Sequence, residues 1–568
     1  MARRVKNILF IMFDQLRFDY LSCYGHPYLE TPNMDWLASQ GVRFTRAYVQ
    51  SPICGPSRMS FYTGRYVRSH GSTWNGFPLR VGEPTLGDHL REIGADCVLV
   101  GKTHMIPDTE GMARLGLDPE SIIGVRVSEC GFDPFERDDG MHPEGYYDQN
   151  PPYDEYLREH GLGGENPWEE WANSADGADG ELLSGWLMQY ADRPARVPEE
   201  HSETPYLTKR GIDFMEAAGD QPWLCHLSYI KPHWPYIVPA PYHDMYGPDD
   251  VLPPVRSDAE RESDHPLFRA WQNHRVCKAF SRDEVRERVI PAYMGLVKQL
   301  DDQMGRLFAY LEESGRMEDT MIVFSSDHGD YLGDHWLGEK DLFHDASARI
   351  PLIVYDPRPE ADATRGTVSD ALVEGIDLAP TFLEFMGGNA KPHILEGRSL
   401  LPLMEGAPTE WRGYAISEYD YATRQSRLEL GVSEADARLL MIFDGRWKYM
   451  LAEGFRPMLF DLLNDPDELI DLGADPAHAA ERARMNELLF EWARRPRQRA
   501  TVPDAMIDST PIQQRIAQQG VLIGYWDEED LAQERKTWKP VMASWNPATP
   551  GALAALGQKV RKPGEGET

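Results

Sequence analysis

The sequence predicts an α/β protein: a doubly wound, mostly parallel sheet followed by a smaller C-terminal α+β domain. Three observations carry that expectation. Short apolar runs recur along the chain, and each hands a polar cluster to the loop after it, as in open α/β sheets whose ligands gather outside the carboxyl ends of the strands. Amphipathic helical patterns separate several of the runs. After about residue 406 the texture changes to paired strands around tight turns, and 568 residues exceed what one core of ordinary size accommodates. The expected organisation is a catalytic-size domain over 1–405 containing an irregular segment at about 107–204, a small domain over 406–495, and a tail over 496–568.

The first run, Ile8 to Phe13, is unbroken, as expected of a strand buried on both faces. It ends at Asp14-Gln15, two oxygen donors that are candidates for a metal. Asn33 reads as a helix cap, with Met34 and Leu37 on one face and Gly41 as the stop. Cys54-Gly-Pro-Ser-Arg58 and Thr63-Gly64-Arg65 follow, then a polar region with Arg68, His70 and Asn75. A helix is predicted from Thr85, with Leu86, Leu90 and Ile93 at helical spacing and Gly94 ending it. The strand Cys97 to Val100 delivers Gly101-Lys102-Thr103-His104. Lys102 and His104 stand two apart in extended chain, so both can reach one anion.

From 107 to 204 Gly, Asp, Pro, Tyr and Trp dominate, and the segment reads as a substrate-selecting wall. Pro222 to Tyr229 is a further strand, leading to Lys231-Pro-His233. The stripe Leu296, Leu300, Met304, Leu307 and Leu311 predicts a packing helix over about 293–313. Met321 to Phe324 ends in Ser325-Ser326-Asp327-His328-Gly329-Asp330. Lys340 stands in the loop before the strand Ile350 to Tyr355. In the small domain, Leu439 to Phe443 and Arg446 to Leu451 flank Asp444-Gly445, a type I′ hairpin signal. Leu459 to Leu462 and a helix over about 479–494 complete it. The tail, with Trp538 and Trp545, is of a kind that packs on its own subunit, on a neighbour in a homo-oligomer, or stays loose.

A net charge of −34 argues against nucleic-acid or anionic-membrane partners. An anionic substrate would need a local cluster of cations inside an acidic body. The six cysteines form no C-x-x-C pair, so neither a zinc module nor a disulfide scaffold is indicated. The apolar run near the N-terminus is far shorter than a membrane span and lacks a small-residue cleavage site, which makes a cytoplasmic enzyme the default.

The run Cys54-x-Pro-Ser-Arg58 with Thr63-Gly-Arg65 resembles the signature of the type I sulfatases of the alkaline phosphatase superfamily. The likeness extends over residues 7 to roughly 495 and takes in Asp14, Gly101-Lys-x-His104, His233, Ser326-Asp-His-Gly329 and Lys340. It implies an alkaline-phosphatase-like sheet and hydrolysis of sulfate monoesters, aryl or other small organic ones. It implies that a formylglycine-generating maturation enzyme oxidises Cys54 to formylglycine, whose hydrate supplies one hydroxyl to attack sulfur and another to expel sulfate. One divalent cation, Mn²⁺ or Ca²⁺, would be held by Asp14, Gln15, Asp327 and His328, the nitrogen favouring Mn²⁺. Lys102 and Lys340 would neutralise substrate oxygens, His104 would take a proton as the intermediate collapses, and His233 would assist the leaving oxygen. Arg58 would hold the nucleophile's loop, with Asn75 and Thr103 as substrate contacts. Two features depart from many sulfatases. Asp14-Gln15 stands where two aspartates are usual, and His328 where an asparagine is frequent. Both resemble the phosphonate monoester hydrolases and phosphodiesterases, which use Tyr and Thr where this chain keeps Lys102 and His104. The retained pair favours sulfate monoesters, with phosphonate or phosphodiester hydrolysis as the alternative.

Overall fold

A computed structural model describes residues 6–143, 151–495, 517–518, 520 and 522–538. The chain separates into two compact units, one of residues 1–390 and 395–495, the other of residues 391–394 and 496–568. In the second unit the described element is a helix, Glu528–Arg535, whose first turn is capped by the Asp527 carboxylate. Trp545 and most of the tail lie outside the described residues.

The first unit is built on an eight-stranded sheet. In chain order its strands are β1 (Asn7–Asp14), β2 (Val42–Tyr48), β3 (Asp96–Gly101), β4 (Asp133–Arg137), β5 (Trp223–Pro232), β6 (Thr320–Ser326), β7 (Arg349–Tyr355) and β8 (Thr367–Glu374). Their spatial order is β8-β2-β7-β6-β1-β5-β3-β4. The run from β6 to β4 is parallel throughout, and β7 joins it antiparallel to both β6 and β2. β1 is buried along its whole length because it packs on both faces. Leu9, Ile11 and Phe13 enter one core and Ile8, Phe10 and Met12 the other, the period-two alternation of a strand.

Of the helices, α1 (Pro32–Gln40), α2 (Cys54–Thr63), α3 (Glu203–Ala217), α4 (Asp283–Glu313) and α5 (Ala479–Arg494) matter most here. A four-stranded antiparallel sheet, β9 (Ala415–Asp420), β10 (Arg438–Phe443), β11 (Trp447–Ala452) and β12 (Met458–Asp461), packs with α5 to form the small C-terminal α+β domain. Among the described residues no helix is long and apolar enough to cross a membrane.

Four local expectations need correction. Thr31, not Asn33, precedes α1, because Pro32 occupies the first helical position where its missing N–H costs nothing. Helix α4 begins at Asp283, well before the predicted start, and carries Pro291 inside it. Tertiary burial of Val285, Val289 and Ile290 holds the turn that the proline weakens. The segment 107–204 is not wholly irregular, since it contributes the edge strand β4 and several short helices. At Asp444-Gly445 Gly445 alone takes a positive φ, +95°, so the turn is not type I′. The Asp444 side chain instead accepts the N–H groups of Arg446 and Trp447 at 3.0 and 2.7 Å.

Candidate active site

Four neighbouring parallel strands deliver the candidate residues to one edge. Asp14 is the last residue of β1, Asp327 follows β6, Lys102 follows β3 and His233 follows β5. Cys54 begins α2, so the positive end of that helix points at the same edge. The helix is buried at every position. Its start is held by Asn75, whose Oδ1 accepts the Gly55 N–H at 2.8 Å. A Cβ on Gly55 would stand 2.8 Å from that oxygen, which explains the glycine. Ser57 Oγ donates to the Asp327 carbonyl at 2.6 Å, tying the helix to the end of β6.

Arg58 is fully buried and distributes its fork over the floor of the site. It donates to Asp327 Oδ2 at 2.7 Å, Asp14 Oδ2 at 3.2 Å, Ser228 Oγ at 2.7 Å and the Lys102 carbonyl at 3.0 Å. Lys102 Nζ lies 2.7 Å from the same Asp14 Oδ2. The cations therefore use the Oδ2 edges of both carboxylates, and the Oδ1 edges face the other way. There Asp14 Oδ1 lies 3.8 Å and Asp327 Oδ1 3.7 Å from His328 Nε2. Cys54 Sγ lies 3.0 Å from His328 Nε2 and 3.6 Å from Asp14 Oδ1. One ligand atom from each of Asp14, Cys54, Asp327 and His328 falls within 4.8 Å of all the others. His328 Nδ1 donates to the Gly329 carbonyl at 2.8 Å, which leaves Nε2 as a lone pair aimed into the group. The donor set thus fits a divalent cation of mixed oxygen and nitrogen preference. Gln15 follows Asp14 at β1's exit with φ +67°, and its Oε1 accepts Lys340 Nζ at 2.9 Å.

Lys340 is the hub of the opposite wall. Its ammonium has three N–H groups and meets three acceptors: Gln15 Oε1, Cys54 Sγ at 3.2 Å and His233 Nε2 at 3.3 Å. Where Cys54 is oxidised, the sulfur marks the place of the hydrated aldehyde oxygens. His233 Nδ1 donates to the Trp234 carbonyl at 2.7 Å, so Nε2 faces the site as an acceptor.

Burial by itself would raise the Asp14 carboxyl, but the charges of Lys102, Arg58 and Lys340 outweigh it and hold it well below the usual range. Burial, assisted by Lys340 and Lys102 and opposed by Asp14, pushes His233 well down and keeps it neutral. Burial would lower Lys340, yet Cys54, Glu339 and Asp14 raise it above the ordinary lysine value.

Among the described residues Thr103 and His104 make no hydrogen bond to this group. The Thr103 hydroxyl accepts the Met105 N–H at 3.3 Å, and the backbone N–H groups of both residues donate to Asp139 Oδ1. His104 has φ +58°, and its buried Nδ1 makes no hydrogen bond. Asn75 acts on the helix start. Sequence reasoning passed over Ser228, Tyr236 and Asp330 as functional positions. Asp330 could have been noticed from its place in Ser326-Asp-His-Gly-Asp330, and Tyr236 from its spacing after His233.

A cysteine at a helix start, a cation-type donor set and two lysines in one buried cluster suit the hydrolysis of an anionic ester, and the sheet beneath them is that of the alkaline phosphatase superfamily. The chain belongs to the sulfatase family. Residues 6–388 match the family described as Sulfatase, and residues 333–495 match N-sulphoglucosamine sulphohydrolase, C-terminal. The chain is 34% identical to the multifunctional alkaline phosphatase superfamily protein PehA of Trinickia caryophylli, over 84% of this chain and 92% of that one. It is 29% identical to an arylsulfatase of Clostridium perfringens, over 82% and 90%. Among solved structures it resembles the phosphonate monoester hydrolase SpPMH from Silicibacter pomeroyi, with a TM-score of 0.76 and 30% identity over 87% of this chain and 97% of that one.

Proposed function

We propose that the protein hydrolyses sulfate monoesters of aryl or other small organic alcohols, using formylglycine derived from Cys54 and one divalent cation, Mn²⁺ in preference to Ca²⁺. The observation that carries this reading is the convergence of Lys340 Nζ, His328 Nε2 and Asp14 Oδ1 on Cys54 Sγ within 3.2, 3.0 and 3.6 Å. A formylglycine-generating enzyme is the required maturation partner. When bound, the cation would lower the pKa of the attacking hydroxyl and draw charge from a substrate oxygen. Asp14, Gln15, Asp327 and His328 hold it in place, and Arg58 fixes both carboxylates through their far edges. Arg58, Lys102 and Lys340 gather three cationic side chains around Asp14, Asp327 and Cys54, where an anionic ester would bind. Lys340 is the N–H donor beside the leaving oxygen, and neutral His233 orients that donor. His104, with an unused ring nitrogen, is the candidate acceptor for the proton released on product expulsion.

The organic side is read by the 107–204 segment. Its Trp186, 36% exposed, packs edge-on to Trp234 at 5.8 Å, and Trp234 packs against His233 at 4.5 Å. A planar apolar group fits that wall.

A second reading, hydrolysis of phosphonate monoesters or phosphodiesters, is favoured by His328 in the candidate cation group, by Gln15 next to Asp14 in the chain, and by the likeness to PehA and SpPMH. Comparing kcat/KM for nitrophenyl sulfate, a nitrophenyl phosphonate and a nitrophenyl phosphodiester decides between them. Sulfate turnover far behind both phosphorus esters would replace the first reading with the second.

A further inference from the structure

Gln15 is the one carboxamide in the candidate cation group, and an amide serves a cation only through its oxygen. Its side chain must therefore be held in one of two orientations that differ by a flip. The main chain does not decide this. Tyr293 OH donates to the Gln15 carbonyl at 2.8 Å and the Gln15 N–H donates to Asp327 Oδ1 at 3.0 Å, but neither touches the amide end. Two side chains from the segment after β6 do. Lys340 Nζ donates to Oε1 at 2.9 Å. On the other side Nε2 donates to Asp330 Oδ2 and lies 3.4 Å from Tyr236 OH. Tyr236 OH donates to the same Asp330 oxygen at 2.7 Å, and Asp330 Oδ1 accepts the Leu332 N–H at 2.9 Å. Asp330 is fully buried, and each of these hydrogen bonds is one it receives.

We propose that Asp330 is a positioning residue for the cation site: by accepting the Gln15 amide N–H it turns Oε1 toward the cation. This rests on the reading that Asp14, Gln15, Asp327 and His328 bind a divalent ion. A flipped amide would set its NH₂ against the Lys340 ammonium and its oxygen against the Asp330 carboxylate. Both hydrogen bonds would be lost, and like groups would oppose each other on both sides. Asp330 receives its hydrogen bonds from Gln15, Tyr236 and Leu332 and, among the described residues, makes none to Asp14, Asp327 or His328, so its effect passes through Gln15.

The test uses full-length protein freed of metal by dialysis against a chelator and titrated with Mn²⁺ alone. Free Mn²⁺ is followed by its electron paramagnetic resonance signal. Asp330→Asn has one acceptor oxygen for donors on two sides, so its new amide must point N–H groups at a donor. It is expected to weaken Mn²⁺ binding by at least about tenfold, the usual effect of losing an outer hydrogen-bond partner of a metal ligand. The double variant Gln15→Glu with Asp330→Asn exchanges carboxylate and amide and restores complementary directions, since the Tyr236 hydroxyl accepts as readily as it donates. Its affinity is expected to return to within about threefold of wild type or to exceed it. On a Gln15→Leu background, Asp330→Asn is expected to have no further effect. The proposal is overturned if Asp330→Asn binds Mn²⁺ like wild type, if the exchange variant does no better than Asp330→Asn, or if Asp330→Asn still weakens binding without Gln15. Failure of both Asp330→Asn and the exchange variant to show a native melting transition would assign Asp330 to the fold and also overturn it. A wild-type protein that takes up no Mn²⁺ overturns the cation site itself, whereas normal uptake with an unaffected Asp330→Asn overturns the proposal alone.

Discussion

Replacing Lys340 by methionine separates chemistry from folding. The ammonium is buried and its three protons are matched to Gln15 Oε1 at 2.9 Å, Cys54 Sγ at 3.2 Å and His233 Nε2 at 3.3 Å. Two of those partners belong to the reacting region, so charge that develops there loses a preorganised donor. Removal of one such donor costs about 2.7–4 kcal/mol, or about 10²–10³ in kcat. The fold should feel much less. Methionine fills a similar volume, and the desolvation cost of the ammonium disappears with its hydrogen bonds. The thermal midpoint is therefore expected to stay within about 4 °C of wild type. Because Lys340 is raised above the ordinary lysine value, it stays charged through neutral pH, and the loss in kcat should be the same at pH values of about 6 and about 9. Steady-state kinetics on nitrophenyl sulfate at saturating substrate measure it. A loss below tenfold, or one confined to KM, would refute the placement of Lys340 beside the reacting oxygens.

Arg58→Lys keeps the charge but not the fork that meets Asp14, Asp327, Ser228 and the Lys102 carbonyl. It is expected to lower the denaturation midpoint by an amount equivalent to about 3–5 kcal/mol, because one buried carboxylate loses its partner. Urea unfolding followed by tryptophan fluorescence measures this. His142 bridges Asp138 at 3.3 Å and Asp154 at 3.5 Å. Burial would lower its pKa, but the two carboxylates raise it to about 10. A folded value above the unfolded one means that this stabilisation is complete below about pH 6.5 and fades as pH rises toward 10. The stability gap between wild type and His142→Gln should accordingly shrink between about pH 7 and 10. A gap that is constant or widens over that range removes the imidazolium bridge.

The strand ends were legible because one rule covers them. A strand buried on both faces reads as a mostly apolar run, and the polar cluster after it must leave the sheet at its carboxyl edge. Asp14, Lys102, His233 and Asp327 were all found that way, from four runs that the fold places side by side. Strand β4 was missed because Asp-Pro-Phe-Glu-Arg has neither an apolar run nor clean alternation, and its proline is tolerated only at an edge. The first turns of α4 were hidden by Pro291. At the site, residue types were legible and directions were not. That the Thr103 hydroxyl accepts the Met105 N–H, that Asn75 holds the start of α2, and that His233 presents an acceptor are set by hydrogen bonds to nearby main-chain groups, whose directions the residue types alone do not specify.

The floor of the site shows why these directions matter. In the proposed cation site two carboxylates would serve a cation while standing fully buried. The chain does this by giving Oδ2 of each to Arg58 and Oδ2 of Asp14 to Lys102 as well, so both Oδ1 atoms turn toward His328, that of Asp327 also accepting the Gln15 N–H. A second aspartate in place of Gln15 would add a fourth carboxylate to Asp14, Asp327 and Asp330, next to Asp330, which is buried and already receives hydrogen bonds on both oxygens. The neutral amide avoids that, and it can still offer an oxygen to the cation while its N–H satisfies Asp330. The Asp-Gln pair that sets this chain apart from many sulfatases is thus coupled to Asp330. An exchange at position 15 alone would leave the buried carboxylate facing another.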